Sequence, residues 1–294
     1  MGDIFSETKW RFQSGSILTK LLYINVGLFI LIRLAALLCS LFNYSPEFFL
    51  SWLQFPSSPV GFLHRPWTVI TYMFTHYDFL HILFNMLWLY WFGKLFLTFF
   101  NEKQLGGLYI LGGVAGALFF MLAYNIFPYF RTVAAGSMLM GASASVMAIV
   151  FAVSFYRKDM EIGILFLGNV KLIYLAIFSF IIDLLAVTSS NAGGHIAHIG
   201  GALLGIWFAN RISRGKDLTA PINRLIDFFV NLFKRKPRMT VTVNPGMRET
   251  DDQYHERKQQ ENQNLDAILD KIKESGYESL TSDEKRQLFD ASRK

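Results

Sequence analysis

Charge is scarce in this chain. Only 17% of its 294 residues are Asp, Glu, Lys or Arg, where a soluble domain carries about a quarter. The scarcity is local: charge thins out through the middle and is dense after Arg211. A membrane domain followed by a polar tail accounts for that pattern. Cysteine is nearly absent as well. A single Cys39 excludes an intramolecular disulfide and any cysteine-based metal cluster. The first apolar run, 21–42, lacks a small-x-small cleavage site and is too long for a secretory leader. It reads as a retained span with a cytoplasmic N-terminus. In place of charge the chain has 52% hydrophobic and 16% aromatic residues and a mean hydropathy of +0.32. Its net charge of +6 needs no nucleic acid, because cytoplasmic loops of membrane proteins collect Lys and Arg.

Hydropathy marks six spans, at about 21–42, 79–97, 105–127, 142–156, 172–187 and 196–210. With the N-terminus inside, Lys9, Arg11, Lys20, Lys94, Lys103, Arg157, Lys158, Arg211 and Arg214 fall on the cytoplasmic side, and only Arg65 and Arg131 on the other. That bias supports an even number of crossings and a cytoplasmic tail. The expected fold is therefore an all-α membrane protein. A six-helix membrane domain (21–213) lies between a cytoplasmic N-terminal segment (1–20) and a small helical cytoplasmic tail. The tail divides into an amphipathic basic segment (214–240), a linker (241–264) and a helical pair (265–294) with Gly276 as stop and Thr281 as cap. The basic segment, ending in Lys234-Arg235-Lys236, suits an anionic lipid surface. The aromatic loop 43–68 is expected in the outer interface, and 162–171 as a hairpin turning at Gly168-Asn169. Asn25, Arg33 and Asp183 should face the bundle.

Three spans each hold a reactive side chain at a fixed distance from a cationic stop. His81 precedes Lys94, Ser143 precedes Arg157 and His198 precedes Arg211, by 13, 14 and 13 residues. At about 1.5 Å per residue each separation is roughly 20 Å, in a hydrocarbon core of about 30 Å. The three would share one depth, toward the outer face, where polar groups are costly without partners. Gly141-Ala142-Ser143-Ala144 opens the fourth span. A serine there has free backbone N–H groups beside it, suited to an oxyanion, although the same tetrapeptide also suits a plain N-cap in a small-residue seam. Gly201 and Gly205 follow His198 at i+3 and i+7, a face that lets helices approach and would hold the imidazole against Ser143 as general base. No carboxylate recurs beside this pair, so a two-residue dyad is expected. His81 and Asn85 share a face at i and i+4 and would donate to the oxyanion. His195 competes as the base, or would join His198 on a metal, for which only Asp78 and Asp183 offer carboxylates. Neither a metal nor another cofactor is expected.

His76, His81-x3-Asn85, Gly141-Ala142-Ser143-Ala144 and Ala197-His198-x2-Gly201-x3-Gly205, in that order, resemble the rhomboid family of intramembrane serine proteases over about 67–212. The resemblance implies a six-helix fold, Ser143 as nucleophile, His198 as base, and an oxyanion held by His81, Asn85 and the Ser143 amide. It implies structural support from His76, Gly141, Gly201 and Gly205. The implied substrate is a transmembrane segment of another protein, cut near its outer end. Three departures stand out: Thr68 follows Trp67 where the family often has Arg, Met147 replaces a frequent aromatic, and Ala144 a frequent Gly. Expected partners are transmembrane substrates and the lipid bilayer, not nucleic acid, and the expected location is a bacterial plasma membrane with both termini cytoplasmic. The alternative is a non-proteolytic rhomboid-like protein that binds client helices; a metal transporter is a third reading.

Overall fold

A computed structural model of the chain describes residues 14–164, 168–233 and 251–291, together with Ser6 and Phe12. Its contacts divide into two compact units, Met1–Lys234 and Arg235–Lys294.

Six apolar helices dominate the first unit: α1 (Ile17–Leu41), α2 (Phe79–Leu97), α3 (Glu102–Ile126), α4 (Ser143–Tyr156), α5 (Leu172–Leu185) and α6 (Ala192–Ile212). Four of them, α1, α2, α3 and α6, are long and apolar enough to cross a bilayer, and the chain is an integral multi-pass membrane protein. With 14 residues each, α4 and α5 measure about 21 Å, short of a hydrocarbon core of about 30 Å. Helix α1 starts four residues before its hydropathic run because the Ser16 hydroxyl accepts the Thr19 N–H at 3.3 Å. Helix α6 also starts early, at Ala192, and its extra turn carries His195.

Helix α4 lies in the core, with Ala148, Ile149, Ala152 and Val153 all fully buried. A helix apolar on every face is stable only when enclosed in this way. It meets α3 and α6 through residues without side chains to spare. A Cβ on Gly201 would stand 2.1 Å from the Ala144 carbonyl oxygen, and one on Gly205 2.3 Å from that of Ala148. On α3, a Cβ on Gly116 would stand 2.5 Å from the Ala144 Cβ. Backbones therefore touch where a bilayer supplies no hydrophobic drive between helices, and packing has to do so.

Asn25 is buried, donating to the Leu21 carbonyl (2.9 Å) and to the Tyr109 hydroxyl (3.2 Å). Arg33 departs from expectation. It is exposed, its guanidinium lies 4.6 Å over the Tyr77 ring and it donates to the Tyr77 carbonyl at 3.4 Å. Its long side chain finds an aromatic face and a carbonyl outside the bundle and so escapes burial.

The aromatic loop folds into short helical turns, Glu47–Leu50 and Pro59–His64, and a strand β1 (Phe55–Pro56) pairing antiparallel with β2 (Met138–Leu139) before α4. Trp52 and Trp67 stack at 5.8 Å, and the Trp67 indole donates to the Trp52 carbonyl at 2.9 Å. Where an arginine is frequent, the Thr68 hydroxyl donates to the Arg65 carbonyl at 2.6 Å, while the Arg65 guanidinium donates to that of Ser51. The loop is thus tied from position 65. A second ribbon pairs β3 (Glu161–Ile164) with β4 (Gly168–Lys171). Gly168 and Asn169 oppose Ile164 and Gly163, so the expected Gly168-Asn169 turn is corrected: both residues belong to the strand, and the connection precedes them.

Helix α7 (Ala220–Phe233) follows. Lys103 on α3 pairs with its Asp227 at 2.6 Å, and Phe228, Phe229 and Leu232 are exposed. The basic run 234–238 lies outside the described residues. In the second unit, helix α8 (Asp251–Ser275) corrects the linker expected over 241–264 from Asp251 onward. Acidic Asp251 and Asp252 in its first turn, Lys273 in its last and an Arg257–Glu261 pair at 3.2 Å support a polar helix. Gly276, at φ +79°, ends it, and α9 (Ser282–Ala291) follows. Thr281 and Glu284 cap α9 reciprocally: Glu284 accepts the Thr281 N–H at 2.7 Å, and its own N–H reaches the Thr281 hydroxyl at 3.4 Å.

Candidate active site

Ser143 is the first residue of α4, so its amide and the next two have no intrahelical acceptor. The turn before it is held on both sides. The Gly141 N–H donates to the Tyr72 carbonyl at 2.8 Å, and the Ala142 N–H donates to Nε2 of the fully buried His76 at 3.2 Å. Accepting that bond leaves the His76 ring neutral, with its proton on Nδ1. Gly141 has φ +117°, and a Cβ there would stand 2.7 Å from Cε1 of His81. Only glycine meets both demands. The His81 ring therefore rests on the turn that presents Ser143, 5.4 Å from the His76 ring. Asp78 fixes the start of α2 by accepting the His81 N–H at 2.8 Å. Asn85, one turn on, gives one amide hydrogen to the His81 carbonyl at 2.9 Å.

From the other side, the Gly201 crossing brings α6 onto Ala144, the residue after Ser143. His198 lies nearly one turn before Gly201. Ser143, His81, Asn85 and His198 consequently line one cavity of about 1000 Å³, with Met147 also in its wall. Among the described residues the His198 ring makes no hydrogen bond to the Ser143 hydroxyl; such bonds are often long in unliganded sites and tighten in complexes. Its Nδ1 instead lies 2.9 Å from Oδ1 of Asp183, and the same oxygen lies 2.8 Å from Nδ1 of His195. This corrects the expectation that no carboxylate accompanies the pair. Asp183 sits 12 and 15 residues before the two histidines, on a different helix, and motif spacing within α6 cannot reveal it. The available signal was a buried Asp inside an apolar span, which needs partners. These three side chains also place one possible metal-ligand atom each within 4.8 Å of one another.

The described site thus gathers Ser143, His198, His81 and Asn85 around one cavity, with His76 and Gly141 beneath the serine turn and Gly201 and Gly205 at the helix crossing. The Rhomboid domain model matches residues 63–215, and a family of unknown function matches 248–294. RHOMBOID-like protein 12, mitochondrial, of Arabidopsis thaliana is 30% identical over 165 residues, 53% of this chain and 48% of that protein. The human presenilin-associated rhomboid-like protein, mitochondrial, is 28% identical over 204 residues, 65% of this chain and 46% of that protein. The chain spans about half the length of these relatives. Their names are mitochondrial, which stands against the expected bacterial plasma membrane. The match over 63–215 takes in every residue that lines the cavity, and the chain belongs to the rhomboid family.

Proposed function

We propose that this protein is an intramembrane serine protease that cuts transmembrane segments of other proteins. The observation that carries the reading is the crossing of α6 over Ala144 at Gly201, which brings His198 into the cavity that Ser143 opens. His198 Nε2 takes the proton of the Ser143 hydroxyl as the oxygen attacks the scissile carbonyl carbon. The negative charge that develops on the carbonyl oxygen meets the Ser143 amide, the His81 ring and the Asn85 amide, preorganised donors that need no rearrangement. The C–N bond then breaks as the imidazolium protonates the leaving amine. Water, deprotonated by His198, hydrolyses the ester on Ser143 and restores the hydroxyl. Phe84 and Trp88 on α2 and Phe178 and Ile182 on α5 line the same cavity, an apolar flank suited to a helix arriving from the bilayer. Ser137, Ser190 and Asn191 line its rim and give water a polar route.

The arrangement of all six apolar helices as membrane elements, with α4 and α5 as short ones, belongs to this reading. So does an orientation with Lys94, Arg157 and Arg211 on one membrane face and both termini on that side. The exposed apolar face of α7 suits that surface.

A fluorophosphonate probe tests the proposal in lipid or detergent. Labelling that disappears in Ser143→Ala is expected. Folded protein that never labels overturns the protease and leaves the family's non-proteolytic alternative, a protein that binds client helices.

A further inference from the structure

One carboxylate oxygen with two imidazole neighbours is unusual, and neither the proposed dyad nor the family match assigns it a role. Asp183 is 5% exposed, so its charge needs partners to remain there. Both contacts, 2.8 and 2.9 Å, are hydrogen-bond lengths. Zinc bound tetrahedrally would hold its ligand atoms about 3.3 Å apart, given Zn–N and Zn–O distances of about 2.0–2.1 Å. The spacing at Asp183 is tighter and suits N–H donors. An acceptor-only carboxylate can bind Nδ1 only where Nδ1 carries hydrogen. His198 is then the Nδ1–H tautomer, and its one lone pair is on Nε2, the opposite edge of a ring that lines the cavity with Ser143.

We infer that Asp183 is a positioning residue for the proposed reaction, holding His198 in the tautomer and orientation in which Nε2 takes the serine proton, with His195 as a second donor that keeps the carboxylate in place. The inference rests on the protease reading for its consequence but not for its geometry. Asp183 stabilises the imidazolium that forms after proton transfer without becoming protonated itself. His195 completes the solvation of a buried charge and touches no reacting atom. The machinery becomes a serine–histidine–aspartate triad whose carboxylate comes from α5, the helix that also lines the cavity's apolar flank. A substrate that displaces α5 would then disturb the base as well as the entrance.

The full-length protein in lipid, with isotope-labelled histidine, supplies the test. Nitrogen NMR is expected to give an Nδ1–H signal for His198 in wild type and its loss in Asp183→Asn, whose amide can donate to Nδ1 and favours the other tautomer. Cleavage by Asp183→Asn is expected to fall at least about 100-fold in kcat with KM nearly unchanged. Asp183→Glu, which keeps a carboxylate acceptor at this position, guards against a folding failure in Asp183→Asn and is expected to restore the Nδ1–H signal of His198 and part of kcat. A kcat for Asp183→Asn within threefold of wild type, or an Nδ1–H on His198 that survives it, overturns the inference. So does stoichiometric zinc that Asp183→Asn abolishes. Wild type that shows the tautomer signal yet never labels at Ser143 overturns the protease reading alone, because the NMR arm needs no turnover.

Discussion

His195 and His198 reach the same carboxylate oxygen from successive turns of α6, yet the proposed mechanism uses only His198 as the base. On the proposed mechanism, removing His198 deletes the proton acceptor, so His198→Ala is expected to lower kcat by about 10⁴-fold or more, to the level left by the oxyanion donors and binding. His195→Ala should leave activity within about an order of magnitude, and equal losses in a peptide-cleavage assay would exchange their assignments. Gly141 makes a second residue-scale case. At φ +117° with His81 Cε1 at 2.7 Å from its would-be Cβ, Gly141→Ala carries backbone strain of about 1–3 kcal/mol and pushes the imidazole off the turn. If His81 donates to the oxyanion as proposed, its loss predicts a fall in kcat of about 10²-fold, with fluorophosphonate labelling slowed in parallel. Ser143, His198, His81 and Asn85 were legible because each pair lies within a helix face or a glycine motif. The inward placement of Asp183 was legible too, but its bond to His198 was not, since that contact is tertiary and crosses from α5 to α6.

The helix crossing is the element on which the site depends. A Cβ on Gly201 would overlap the Ala144 carbonyl oxygen at 2.1 Å, and backbone cannot swing aside as a side-chain tip can. Gly201→Ala is therefore expected to cost about 3 kcal/mol, the upper end for overpacking, and to lower the unfolding temperature in detergent. Gly27→Ala on α1, where nothing lies within 4 Å, should instead be neutral or slightly stabilising by helix propensity; equal destabilisation of the two would refute the crossing. The tail's elements obey a different force. The Thr281 amide, Lys271 and the Thr281 hydroxyl, in that order of importance by kind of bond, hold the Glu284 carboxyl down to about 2 from an ordinary 4.5. Because the folded value is depressed, the cap's contribution is complete above about pH 4.5 and is lost as pH falls through about 2. Hydrogen exchange over 281–285 in the full chain, corrected for intrinsic rate, should show the cap opening only in that window, and Glu284→Gln should remove the dependence. Capping residues and the glycine stop at 276 made this helix pair readable. The segment from Asp251 hid its helix because it has few apolar residues to set a period, and Ile268 is the one residue of α8 that is buried.

Across the whole molecule, hydropathy located the six apolar helices but not their lengths. A Ser16 cap extends α1, while α6 starts early at Ala192 without a side-chain cap and so gains the turn with His195. Arg33 lies outside the bundle for a related reason, since hydropathy records where a charge sits in sequence and not how far its side chain reaches. The matched separations from Lys94, Arg157 and Arg211 are compatible with the approach of the His81 ring to Gly141 and of Gly201 to Ala144, contacts that bring the three helices together near these residues. Under the proposed orientation the level lies roughly 20 Å from one membrane face of a core about 30 Å thick, which leaves about 10 Å, or some seven helical residues, to the other. A substrate helix entering beside α2 and α5 should therefore be cut within about seven residues of the outer end of its span. Moving a single small-residue site stepwise through a substrate's transmembrane segment, and mapping each product by mass, would read that distance. Cleavage confined to the outer third is expected; efficient cleavage at the centre of the span, dependent on Ser143, would refute the shared depth while leaving the chemistry intact.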